Sequence, residues 1–120
     1  MSFSEEVKKQ VWKKGSVISG YDENLVRKDC CGAWIVWNKY GDRNDDYGWE
    51  IDHVYPKALG GEDDIENLRP MNWKNNESKG DDYPSYTASV KADGTMNVEN
   101  LIQRTVNSTL QEIIKRLYDK

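Results

Sequence analysis

Residues Gly48–Asp81 read GWEIDHVYPKALGGEDDIENLRPMNWKNNESKGD, and the order of residue types in this stretch decides the fold. A strand is expected over Trp49-Glu50-Ile51-Asp52-His53, closed by Pro56. Gly60-Gly61 marks a loop. A second short strand is expected over Asn67-Leu68-Arg69-Pro70-Met71, with helical residues from about Asn75. Asp-His then sits at a strand end, with Asn75, Asn76 and Lys79 at a helix start.

Working outward, Ala33-Trp34-Ile35-Val36-Trp37 predicts a further strand that ends in a turn at Asn38 to Gly41. Gly15 to Asp29 carries Gly20, Asp22 and Asn24 without sustained periodicity and reads as a connection with one short ordered piece. From Ser4 to about Lys14, Val7, Val11 and Trp12 fall at helical spacing, Ser2 with Glu5 fits a capping box, and Gly15 suits a helix stop. Val98, Leu101, Ile102, Val106, Leu110, Ile113, Ile114 and Leu117 repeat at three and four, which predicts an amphipathic helix over about 97–118 with Asn97 as its N-cap. The expectation is one α+β domain over residues 1–120, a small antiparallel sheet flanked by N- and C-terminal helices.

Composition narrows the function. Net charge is −4, which argues mildly against binding nucleic acid through a broad basic surface, so any phosphate contact must be local or metal-assisted. The basic residues are nonetheless bunched, as Lys8, Lys9, Lys13 and Lys14 and again as Arg27 and Lys28. Acids collect at Asp42, Asp45, Asp46, Glu62, Asp63, Asp64, Asp81 and Asp82, and both sets also read as solvated surface. Five Trp and seven Tyr must supply much of the burial. No apolar run approaches the ~20 residues of a membrane span, and the first residues are too polar for a secretory signal, so a cytoplasmic protein is expected. The only cysteines, Cys30 and Cys31, are neighbours and by themselves cannot complete a four-ligand zinc site.

Cleaving a phosphodiester needs an activated water, neutralised phosphate charge and help for the departing oxygen. His53 is the chain's only histidine, and an unperturbed imidazole, titrating near ~6.5, accepts protons at neutral pH. One carboxylate and one amide oxygen together are hard ligands suited to Mg²⁺ or Mn²⁺ and leave coordination positions open. Asn76, just inside a helix start, aims its amide near the positive end of the helix dipole. Lys79 is a phosphate contact or a solvated helix lysine, and Arg43 is a second candidate phosphate contact.

In order and spacing, Asp52-His53, Pro56, Gly60-Gly61, Asn67-Leu68, Asn76 and Lys79 resemble the HNH endonuclease family, and RKDCCGAWIVW with YGDRNDDYGWEIDH resembles a bacterial branch of it. The resemblance implies a ββα-metal fold, Asp52 and Asn76 binding the metal, His53 activating water, and Asn67, grouped with the catalytic set, holding the loop in shape. Many members carry two Cys-x-x-Cys pairs around a structural zinc. The positions of the second pair are here Asn72 and Asn75, so no zinc is expected. The expected activity is metal-dependent hydrolysis of DNA, with a homodimer or targeting partner to direct it. The rivals are a non-catalytic nucleic-acid-binding or assembly module on the same scaffold, and a protein-binding domain that uses the C-terminal helix.

Overall fold

The computed structural model describes residues 3–119. Helix α1, Glu5–Trp12, is followed by strands β1, Val26–Lys28, and β2, Trp34–Val36. The central unit is strand β3, Trp49–His53, strand β4, Leu68–Asn72, and helix α2, Trp73–Lys79. Strands β5, Ser85–Asp93, and β6, Met96–Thr105, then lead to helix α3, Ser108–Tyr118. The strands pair as three two-stranded antiparallel units, β1 with β2, β3 with β4 and β5 with β6. The α+β expectation holds, with the sheet divided into three hairpins. Among the described residues no helix is long and apolar enough to cross a membrane.

Two apolar clusters surround the β3–β4 hairpin. Val11, Trp12, Ile35, Trp49, Ile51 and Leu68 bury α1 against β2, β3 and β4. Cys31, Val54, Tyr55, Met71, Tyr86, Ala88, Val106 and Ile114 join the hairpin to β5 and α3. Trp49 is fully buried, and its ring meets Trp12, Trp37 and Tyr40 at centroid distances of 5.1, 5.7 and 4.9 Å. Rings of this size supply the burial that a chain poor in aliphatic residues needs.

α1 begins at a different cap from the expected one. Ser4 is the N-cap, its hydroxyl accepting from the Val7 N–H at 3.2 Å, whereas Ser2 of the expected box lies outside the described residues. The expected helix over 97–118 is corrected over its first half. Residues Met96–Thr105 are β6, and α3 starts at Ser108 with Asn107 as N-cap, its side chain accepting from the Leu110 N–H at 2.8 Å. Asp93 pairs with Met96 across a two-residue loop in which Gly94 has φ 64°, as a type II′ hairpin turn requires. Tyr86, Ala88 and Val90 alternate inward along β5, the period of a strand. A register shift gives β6 one extra residue between Glu99 and Ile102, which breaks its own alternation and makes Val98, Leu101 and Ile102 mimic helical spacing. Asn97, expected as a cap, instead donates from its amide to the carbonyl oxygens of Trp34 and Asp46.

Candidate active site

Asp52 and His53 end β3 and stand opposite Arg69 and Leu68 of β4. Adjacent strand residues face opposite ways, and here Asp52 is buried while His53 keeps part of its ring exposed. Asp52 Oδ2 accepts from Arg69 Nε at 2.9 Å, and Lys79 Nζ lies 3.3 Å from Oδ1. Lys79 also donates to the His53 carbonyl at 3.2 Å. Its side chain is 0% exposed, which corrects both readings of it as a surface residue. The ammonium is fixed under the site and turned toward Asp52. Burial pushes its pKa down, and Asp52 draws it up.

His53 Nε2 lies 2.7 Å from Asp63 Oδ1. A carboxylate only accepts, so Nε2 carries the proton and Nδ1 keeps the lone pair of the neutral ring. The hydrogen bond to His53 holds the Asp63 carboxyl below its usual range, against a small effect of burial and with help from Lys57. The stabilisation from this charged acceptor is fully present above the ordinary carboxylate pKa and is lost as pH falls through the lowered one. Asp63 was not among the expected site residues. It lies in the loop between β3 and β4, and no periodicity marks its return to His53.

Asn67 is fully buried and closes this loop. Its amide oxygen accepts from the Tyr55 N–H at 2.8 Å, and its nitrogen donates to the carbonyls of Tyr55 at 3.1 Å and Glu62 at 3.0 Å. It is a positioning residue, set back from the cleft. Gly61 beside it has no room for a side chain, since a Cβ would stand 1.8 Å from the Tyr55 carbonyl oxygen.

Helix α2 starts earlier than expected, at Trp73 with Asn72 as N-cap, so Asn76 is its fourth residue and stands a turn away from the helix start. The Asn76 side-chain amide donates to Glu50 Oε1 at 2.9 Å, and among the described residues its Oδ1 takes no hydrogen bond. Arg43 grips Glu50 with two bonds of 2.7 and 2.9 Å and reaches Glu77 at 2.8 Å. Burial works against the Glu50 charge, yet Arg43 and Asn76 hold its carboxyl below the usual value. Two carboxylates therefore already compensate Arg43, which weakens it as a phosphate contact.

A cleft of about 250 Å³ brings Asp52, His53 and Asn76 together with Lys57 and Asp81. Arg43, Asn67 and Lys79 do not line it. The donors suit a divalent ion of the hard kind: Asp52, the open oxygen of Asn76 and Asp81 are all oxygen ligands. The 3.3 Å separation from Lys79 is long for a charge-assisted bond, which leaves Asp52 Oδ1 lone-pair capacity. Among the described residues no three His, Cys, Asp or Glu side chains gather as a metal cluster. An ion here would take few protein ligands and fill its shell with water and phosphate, the habit of Mg²⁺.

Behind the cleft, Asn72 and Asn75 meet Asp29. The Asn72 N–H and the Asn75 amide donate to Asp29 Oδ2 at 2.9 and 3.1 Å, and Asn75 Oδ1 accepts from the N–H groups of Ser89 and Val90 at 2.8 Å each. Hydrogen bonds thus tie β1–β2, α2 and β5 together at these positions.

Neither the curated proteins nor the solved structures hold a significant match to the chain. Residues 30–82, a little under half of its 120 residues, match the family of HNH endonucleases, whose members are usually nucleases, so this stretch of the chain, with Asp52, His53, Asn67 and Asn76 inside it, is an HNH domain.

Proposed function

We propose that the protein hydrolyses phosphodiester bonds in DNA with the help of a divalent metal, Mg²⁺ or Mn²⁺, and that all 120 residues act as one unit. The observation that carries this reading is the single cleft lined by a histidine with an available Nδ1 and by two oxygen donors, Asp52 and Asn76. Asp52 and Asn76 would hold the metal, which when bound neutralises phosphate charge and eases departure of the leaving oxygen. His53 Nδ1 takes a proton from a water in the cleft, and the water oxygen then attacks phosphorus. Asp63 fixes the ring orientation and stabilises the imidazolium that proton transfer creates. Lys57, at the cleft wall, is the cation best placed to meet substrate phosphate.

Supercoiled plasmid with Mg²⁺ or Mn²⁺ tests this. Nicked or linear product is expected, and EDTA should stop its formation; equal cleavage in EDTA would remove the metal from the mechanism. Replacing Asp63 by Ala should lower kcat by about 10-fold or more, the usual scale for a group that orients a site residue, with DNA affinity unchanged. An unchanged kcat would leave Asp63 without that role.

A second reading, a non-catalytic nucleic-acid-binding module, draws support from the two cations already on Asp52. It predicts salt-sensitive DNA binding with intact plasmid under every metal condition.

A further inference from the structure

We infer that the cleft between α1 and the turn Trp37–Lys39 binds one unpaired nucleotide of a nucleic-acid strand, with its base against Trp37 and its phosphate between Lys9 and Lys13. This rests on the nuclease reading above and extends it to residues largely outside the segment that matches the family.

The four bunched lysines divide into two pairs. Lys8 meets Glu5 at 3.2 Å and lies 4.5 Å over the Tyr40 ring. Lys14 donates to the carbonyl oxygens of Ile65 and Leu68, fastening α1 to the loop and strand that carry Asn67 and Arg69. Lys9 and Lys13 remain, and among the described residues neither ammonium has a carboxylate partner. Four residues apart on a helix, they share one face about one turn apart. Both line a cleft of about 200 Å³ whose other walls are Trp12, Trp37 and Asn24, with no carboxylate among them. Glu23, next to Asn24, directs its carboxylate to Arg27.

The aromatic wall is rigid. Trp12 donates from its indole N–H to the Glu23 carbonyl at 2.9 Å, and its ring is set edge-on to Trp37 at 5.6 Å. Trp37 in turn packs at 5.7 Å on Trp49. The buried Trp12 backs the half-buried Trp37, and an indole locked in this way loses little entropy when a flat ring lies on it; base–aromatic contacts tolerate any base. An acidic peptide would use the two ammoniums and leave the indoles idle; a neutral aromatic ligand would do the reverse. A nucleotide uses both, and Asn24 offers an amide to the base edge.

The cleft is also within reach of the candidate active site. The Phe3 ring lies 6.1 Å from that of His53, and α1 then runs toward Lys13 for on the order of 15 Å, the span of a few nucleotides.

The test uses the full chain in EDTA, a fluorescein-labelled oligothymidylate of about ten nucleotides, and the Lys9→Gln/Lys13→Gln double variant. Binding by the wild type should quench indole fluorescence. The double variant should bind about fivefold or more weakly, lose the quench, and lower the slope of log K against log salt by about 0.7, the value for one neutralised phosphate of a single strand. No binding by the wild type, or equal affinity and slope in both proteins, overturns the site. A lower slope with the quench never present in either protein overturns the placement of the base. Plasmid nicking separates this from the parent reading: metal-dependent nicking with unaltered binding by the double variant sinks the nucleotide site alone. Lysine-dependent binding by a wild type that leaves plasmid intact in Mg²⁺ keeps the site and sinks the nuclease.

Discussion

A His53→Ala protein loses metal-dependent nicking by about 10²–10⁴-fold, the range that a positioned general base contributes, while remaining folded. The structure separates the two effects. The ring is part-exposed and among the described residues makes one side-chain hydrogen bond, to Asp63, which is itself on the surface and turns to water when the imidazole is gone. Nothing buried is left without a partner, so the cost in stability should stay within about 1 kcal/mol. The chain has no second histidine to substitute. Nicking rates across a Mg²⁺ series, beside thermal unfolding of both proteins, make the measurement. A variant that nicks at the parent rate would exclude His53 as the base, and a variant that loses activity together with a large fall in Tm would show a structural role instead. Affinity for uncleaved DNA in EDTA should not change, because the imidazole serves the water.

The central hairpin was legible because its information is local. Trp49 to His53 has strand composition and strand length, and β3 occupies those same residues. Asn67 was expected to shape the loop, and it does so with three hydrogen bonds to loop backbone. The β5–β6 hairpin was missed because a bulge in β6 disguises its period, whereas the signal lay upstream in Tyr86, Ala88 and Val90 and in the Gly94 turn. Lys79 was read on helix periodicity alone, and periodicity does not say that a buried carboxylate waits beneath the helix. Its partner Asp52 lies twenty-seven positions earlier, and the two meet only because α2 packs on β3. Asp63 is the same case in a loop: ten residues separate it from His53, and the fold alone brings them to 2.7 Å. Residues that act through distant partners are set by packing, and one sequence carries no direct mark of that.

Asp29→Ala should destabilise the protein by about 3–5 kcal/mol, the upper end for single substitutions, reached when a buried hydrogen-bond network is broken. Asp29 is 3% exposed and accepts four hydrogen bonds: from the N–H groups of Cys31 and Ala33 on Oδ1, and from the Asn72 N–H and the Asn75 amide on Oδ2. Burial pushes its carboxyl above the ordinary value, and these four donors pull the other way. Truncation leaves three backbone N–H groups and one amide in the interior with their acceptor gone, each costing about 1–3 kcal/mol unless water enters. The asparagine variant should fare little better, because its NH₂ would face two of the donors whichever way the amide is turned. Asn72 and Asn75 lose their common anchor, and β1–β2 comes free of α2. In urea the midpoint should fall with m unchanged, and Tm should drop by on the order of 10–20 °C. A loss below about 1 kcal/mol would mean that Asn72 and Asn75 hold the junction without Asp29, through the Asn72 bonds to Trp34 and Asp46 and the Asn75 bonds to β5. With the full loss, α2 would no longer be held against β3, and Asn76 would leave the cleft together with Asp52's partner Lys79. Plasmid nicking should then decline in parallel with the folded fraction as urea is raised.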